Sequence, residues 1–169
     1  MTKKNHASKG GTPATVALTR AGAPFQLRPY DHDASATSYG EEAAAALGLS
    51  PDRVFKTLLA RVDERLVVAV VPVSGSLDLK ALAAAMGGKR AAMAEPADAE
   101  RATGYVVGGI SPLGTRTALP TAIDESVADD ELVYVSAGLR GLQVSLAPAD
   151  LVRLTRATVA PIRRPGPSG

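Results

Sequence analysis

The residues of this chain that could carry chemistry fall in a few short segments. Lys56 stands in Val54-Phe55-Lys56-Thr57-Leu58-Leu59, a strand-like run of mostly apolar residues. A lysine there must point to solvent, into a cavity or at a partner, because an ammonium buried alone is costly. It reads either as a cationic anchor for a phosphate or polarised carbonyl, or as an outward-facing strand residue. The segment Gly104-Tyr105-Val106-Val107-Gly108-Gly109-Ile110-Ser111-Pro112-Leu113-Gly114 is the most informative. Its glycines and Pro112 impose a rigid turn whose backbone can approach a ligand closely. Exposed amides in such a turn bind a carbonyl oxygen or an anion. No Gly-Lys-Ser/Thr follows, so it is not a P-loop. A tight connection with no ligand is the alternative.

Val135-Ser136-Ala137-Gly138-Leu139-Arg140-Gly141 forms a second glycine-rich stretch after a strand. Ser136 is a candidate for a substrate amide or hydroxyl, and Arg140 for a phosphate. No Gly-x-Ser-x-Gly elbow is present and no histidine stands nearby, which argues against a serine-hydrolase triad. Tyr30-Asp31-His32-Asp33 suggests a metal site at first sight. His32 is the only histidine outside the polar N-terminus, adjacent strand residues face opposite ways, and a hydrogen-bonded turn is the better reading. No metal and no cofactor is expected. The adjacent acids Glu41-Glu42, Asp63-Glu64, Asp124-Glu125 and Asp129-Asp130 read as solvated faces rather than a glycosidase pair.

Composition narrows the classes. The chain has 169 residues, enough for one domain with a sizeable core. It contains no cysteine, which excludes disulfides and a thiol nucleophile borne by the protein and suits a reducing cytoplasm. The polar N-terminus is not a signal peptide, and the apolar run from Leu66 to Val73 is too short to span a bilayer as a helix, so no membrane role is expected. The pI of about 9.0 invites a nucleic-acid reading. Yet Lys3, Lys4, Lys9, Arg163 and Arg164 lie in the tails, and residues 12–160 hold 14 basic against 17 acidic residues, a net charge of −3. Any basic groove must come from local clustering.

Elements must position these residues. Thr12-Pro13 opens a helix that Gly22 stops, and a strand from Pro24 to Tyr30 follows. Ser38 and Glu41 have the spacing of a capping box for a helix that Gly48 ends. Val54–Val62 and Arg65–Val71 read as a hairpin about Asp63-Glu64, its second strand buried on both faces. Helices are expected over Asp78–Met86 and Pro96–Thr103, and a last one from Ala147 to about Arg156. Further strands are expected at Tyr105–Val107, Ala118–Ile123, Leu132–Ser136 and Leu142–Leu146. Short turns join several strands, and strict alternation is lacking. The fold class is therefore α+β: one domain over 12–160, a mixed, mostly antiparallel sheet with helices around it, and disordered tails at 1–11 and 163–169.

Taken in order, five segments resemble the YbaK family of aminoacyl-tRNA deacylases, kin to the editing domain of bacterial prolyl-tRNA synthetase. They are Tyr30–Asp33, Gly40-Glu41-Glu42-Ala43, Phe55-Lys56-Thr57-Leu58, Gly104–Gly114 and Val135–Gly141. The resemblance covers roughly residues 12–160. It implies a curved, barrel-like mixed sheet around a pocket, and cleavage of the ester between an amino acid and the CCA end of a tRNA. Lys56 matches the family's lysine, Gly108 and Pro112 its Gly-x-x-x-Pro element, and Tyr30 and Ser136 positions lining its pocket. Ala137 departs from the glycine usual there. On this resemblance Lys56, Gly108 and Gly109 are expected to support the reaction, and Tyr30, Ser111, Pro112, Ser136 and Arg140 to contact substrate. The implied substrate is Cys-tRNA(Pro), whose own thiol attacks the ester. Ala-tRNA(Pro) deacylation is the near alternative, and a non-catalytic tRNA- or synthetase-binding module the distant one. Prolyl-tRNA synthetase is the implied partner.

Overall fold

A computed structural model describes residues 11–36 and 38–164. The hairpin at its centre joins β2 (Phe55–Val62) to β3 (Arg65–Pro72) in antiparallel register, Phe55 opposite Pro72 and Val62 opposite Arg65. Asp63 turns the chain at φ 55°, a conformation that aspartate tolerates better than most residues. Its carboxylate accepts the amides of Lys89 and Arg90, and those hydrogen bonds hold its pKa below the ordinary range.

β3 is the middle of a five-stranded sheet ordered β5-β2-β3-β6-β9, with β5 at Ala91–Met93, β6 at Thr121–Asp124 and β9 at Thr158–Ala160. The β3–β6 and β6–β9 pairs are parallel and the others antiparallel. As its unbroken apolar run requires, β3 is buried on both faces. Val68 and Val70 face one core with Leu59 and Ile123, while Val67, Ala69 and Val71 face another with Leu82 and Ile162. Each of the valine, leucine and isoleucine side chains contributes about 1.5–3 kcal/mol on burial.

A second sheet has the order β1-β8-β7, from β1 (Phe25–Pro29), β7 (Val133–Leu139) and β8 (Leu142–Leu146). Val133, Val135, Ala137, Val144 and Leu146 pack into the main core, and the intervening Tyr134, Ser136, Gln143 and Ser145 face the other way. A parallel bridge between Val54 and Tyr134 ties the two sheets. They remain open rather than closing into the barrel-like form expected.

The helices are α1 (Pro13–Ala21), α2 (Tyr39–Leu47), α3 (Leu79–Ala85), α4 (Pro96–Thr103) and α5 (Pro148–Thr155). Thr12 caps α1 in a reciprocal box with Thr15. Ser38 makes no such side-chain bond at α2, so the capping box expected with Glu41 does not form, and Glu42 holds the preceding loop instead. Tyr105–Val107, expected as a strand, forms part of a turn. Arg163 and Arg164, expected in the tail, pair as β10 with Ser76–Leu77 (β4), and Asp124 accepts the amides of Ile162 and Arg163 at 3.0 Å. The remaining tail residues, 1–10 and 165–169, lie outside the described residues.

Candidate active site

β5 pairs with β2 only at Ala60–Val62, and β7 bridges Val54, the residue just before β2. Between these points the edge of β2 carries no strand, and there a cavity of about 280 Å³ opens. The gap is closed by the start of α2 at Ser38–Gly40, by Val107, Gly108 and Ile110, and by Ser136 and Gln143 from the second sheet. Most of the wall is apolar, with Phe55, Leu59, Ala99 and Ile110 prominent.

Lys56 lines this cavity, half-buried, in the same hollow as Gly108 and Ser136. Burial lowers its pKa, partly offset by the nearby charge of Glu41. The ammonium is thus held in a poorly solvated wall, where its field acts more strongly than it would in water.

Several hydrogen bonds anchor the 104–114 segment. The buried Tyr105 hydroxyl donates to the Leu113 carbonyl at 2.6 Å, and burial raises its pKa well above the ordinary value. Val107 donates its amide to Glu100 at 2.9 Å, and Gly109 donates its own to the Val106 carbonyl at 2.8 Å. Gly108 has φ 93°, and a Cβ there would lie 2.8 Å from Arg140 Nε and 3.0 Å from the Tyr39 ring. Among the described residues no hydrogen bond engages the Gly108 amide. Gly108 thus lines the cavity with its amide uncommitted. Gly109 does neither, since its amide is spent within the turn and the residue does not line the cavity.

The other expected contacts divide. Ser136 lines the cavity, its Oγ accepting from the Gly138 amide at 3.1 Å. Ser111 is fully buried outside it, and its Oγ accepts from Leu113, so it and the buried Pro112 shape the loop. Tyr30 does not line the cavity either. It packs on Ala43, Ala44, Val54, Val73 and Tyr134, and burial raises its pKa. Arg140 is an exposed buttress. Its Nε and Nη2 donate to the Val107 carbonyl and its guanidinium lies 5.1 Å from the Tyr39 ring centroid. His32 is bound by Glu42 at 2.8 Å, beside the Asp33 amide that the same carboxylate accepts. The loop is hydrogen-bonded, as the sequence suggested.

Among the lining residues that escaped the sequence reading, three carry polar groups on long or central side chains: Tyr39, Thr57 and Gln143. Tyr39 abuts the Gly40-Glu41-Glu42-Ala43 segment and Thr57 follows Lys56, so proximity was their only signal. The polar-apolar alternation of β8 marks Gln143 as facing away from the core but not what it faces. Thr57 Oγ1 and Gln143 Oε1 are buried with no hydrogen-bond partner among the described residues.

The family model for the aminoacyl-tRNA editing domain matches residues 32–154. An Enterococcus faecalis protein named as a Cys-tRNA(Pro)/Cys-tRNA(Cys) deacylase, EbsC, is 42% identical over 123 residues, 72% of this chain and 75% of that protein. The Escherichia coli multifunctional Ser/Thr-tRNA deacylase ProXp-y is 27% identical over 149 residues, 87% of this chain and 89% of its own. A solved structure described as a trans-editing enzyme for prolyl-tRNA synthetase superposes with a TM-score of 0.78 at 25% identity, covering 97% of this chain and 99% of that one.

Proposed function

Because the chain belongs to the aminoacyl-tRNA editing domain family, we propose that it hydrolyses the ester joining a mischarged amino acid to the 3′ end of a tRNA. The observation that carries this reading is the placement of Lys56 and Gly108 in one small, mostly apolar hollow. An ester carbonyl seated there meets an ammonium and an uncommitted amide, the two kinds of group that stabilise a developing oxyanion. The cavity volume suits a small amino acid and part of the terminal ribose rather than a bulky side chain.

Cysteine is the cargo we assign first, supported by the 42% identity to the enterococcal protein. No cysteine is present in the chain and His32 is tied to Glu42. A cysteinyl ester brings its own nucleophile. Its sulfur attacks the ester carbon, an S–C bond forms, the bond to the ribose oxygen breaks, and the thiol proton ends on that oxygen. The resulting four-membered thiolactone is opened by water to free cysteine. The protein's part is to hold the reacting atoms together, which can supply several kcal/mol of the barrier reduction.

The tRNA is proline tRNA in this reading, and the reaction belongs with translation in the cytoplasm. The likeness to a trans-editing structure supports prolyl-tRNA synthetase as the partner that delivers the substrate, consistent with the acidic balance of residues 12–160. The test is deacylation of Cys-, Ser- and Ala-charged proline tRNA by purified protein. Cleavage of one or more of them supports the reading, and cleavage of none overturns it. Preference for Ala-tRNA would remove the thiol step and leave the deacylase.

A further inference from the structure

Of the large apolar side chains exposed among the described residues, only Met93 lines the cavity. It is 50% exposed, at the end of the edge strand β5. A lone exposed apolar residue is ordinary on an open surface. At the mouth of a binding cavity it is a contact surface for whatever enters.

The sheet fixes where Met93 stands. It lies directly opposite Ala60 on β2, and strand residues two apart share a face, so Lys56 and Leu58 lie on that face too. The Ala94 amide donates to the Leu59 carbonyl at 3.0 Å, which holds the chain against β2 just where β5 ends. Pro96, exposed at the start of α4, also lines the cavity. Met93, Leu58 and Pro96 thus give the hollow an apolar rim beside the lysine.

The size of the hollow says what meets that rim. Its 280 Å³ or so lies below the range of about 300–1,000 Å³ usual for pockets that enclose a drug-sized ligand, and an aminoacyl-adenosine is of that size. With the ester near Lys56 and Gly108, the base on the same ribose stays outside, at the mouth. A nucleobase offers an uncharged, flat π face. The polarizable thioether of methionine makes favourable contacts with such rings, and its three rotatable bonds let it adapt to one. A protein partner is the poorer occupant, because three side chains supply little of the roughly 800 Å² that each side of a stable interface buries.

Resting on the deacylase reading, we infer that Met93, backed by Pro96, is the platform on which the terminal adenine of the tRNA rests, and so positions the ester at Lys56. Met93 binds the base and takes no part in breaking the bond.

The experiment measures, by titration calorimetry, the binding of two non-hydrolysable probes: 3′-alanylamino-3′-deoxyadenosine and the same aminoacyl amide on a sugar without a base. Wild type is expected to bind the adenosine probe about fivefold more tightly or better. Met93→Ala brings the two affinities within about twofold, whereas Met93→Leu, which keeps an apolar side chain of similar volume, retains most of the difference. Equal binding of the two probes by wild type, or binding of neither, overturns the inference. So does a Met93→Ala variant that keeps the wild-type difference, which would make the residue merely structural. In turnover on charged tRNA, Met93→Ala raises KM and leaves kcat near wild type, as loss of binding common to ground and transition state requires. A fall in kcat at unchanged KM overturns the inference as well. Failure of wild type on every charged tRNA, with the probe difference intact, overturns the deacylase reading instead.

Discussion

Arg140 reaches from the turn after β7 to the carbonyl of Val107, Nε donating at 2.9 Å and Nη2 at 2.6 Å, and so fixes the peptide just before Gly108. The same guanidinium lies over Tyr39, the first residue of α2. One side chain thus links three segments that are distant in sequence and that together close the cavity. Arg140→Ala is expected to lower kcat/KM about three- to tenfold with an unchanged pH profile, since the residue positions the loop and does not face the cavity. Steady-state kinetics across pH check it. A pH profile altered along with the rate would place Arg140 in the chemistry.

Gly108→Ala should be far more damaging. A side chain at φ 93° is strained by about 1–2 kcal/mol, and its Cβ would press on Arg140 and Tyr39. Relieving the contact moves the loop, and a shift of about 1 Å can cost about 100-fold in rate. Thermal melting separates the modest stability loss from the larger kinetic one. Full activity in this variant would remove the Gly108 amide from the mechanism.

Lys56→Ala is expected to cut the rate about 100-fold or more, the scale of losing one group that stabilises an oxyanion. Burial lowers the lysine's pKa, so its ammonium is lost at lower pH than that of a free lysine, near 10.4. Activity that needs the charge therefore falls on the alkaline side before pH 10.4. In Lys56→Arg, which keeps its charge, that alkaline fall should vanish even if the absolute rate is lower. The stability sign is opposite. Between the folded and unfolded pKa the unfolded chain binds more protons, so this lysine's contribution to stability rises with pH there. Single-turnover assays corrected for spontaneous ester hydrolysis measure the first effect, and denaturant unfolding the second.

Asp124 gives a test of the frame alone. It is 3% exposed, and its two oxygens accept from Ile162, Arg163 and Ser126. Asp124→Ala leaves buried amides without acceptors and should destabilise the protein by about 2–4 kcal/mol. Denaturant midpoints read the loss. The kcat/KM of the folded fraction is expected to stay as in wild type, since Asp124 does not line the cavity.

The positions of the five helices were legible because their caps and stops are local. Gly22, Gly48 and Gly104 each adopt a left-handed conformation where a helix ends. The buried hairpin was legible from the apolar run of β3. The short strands β5, β9 and β10 were not, since two or three residues carry no periodicity and pair only because distant segments meet. The same holds at the site. Lys56 stood out as a charge in an apolar strand and Gly108 as part of a glycine pair, and both line the cavity. Tyr30, Ser111, Pro112 and Arg140 are polar, aromatic or turn-forming residues in the right segments, but side-chain direction placed them behind the wall. Gln143 went unnoticed because a glutamine in an alternating strand looks like any solvent-facing residue until a second sheet covers it.

The pairing of Arg163 and Arg164 with Ser76 and Leu77 fastens the far end of the described chain to its middle. Ile162, fully buried beside Leu82 and Val67, is the stud of that fastening. A protein shortened to Ala160 would keep every residue of the cavity yet lose the clasp, and Asp124 would be left facing an empty seat. The polar look of these last residues thus conceals a seam that ties the second core to the central sheet.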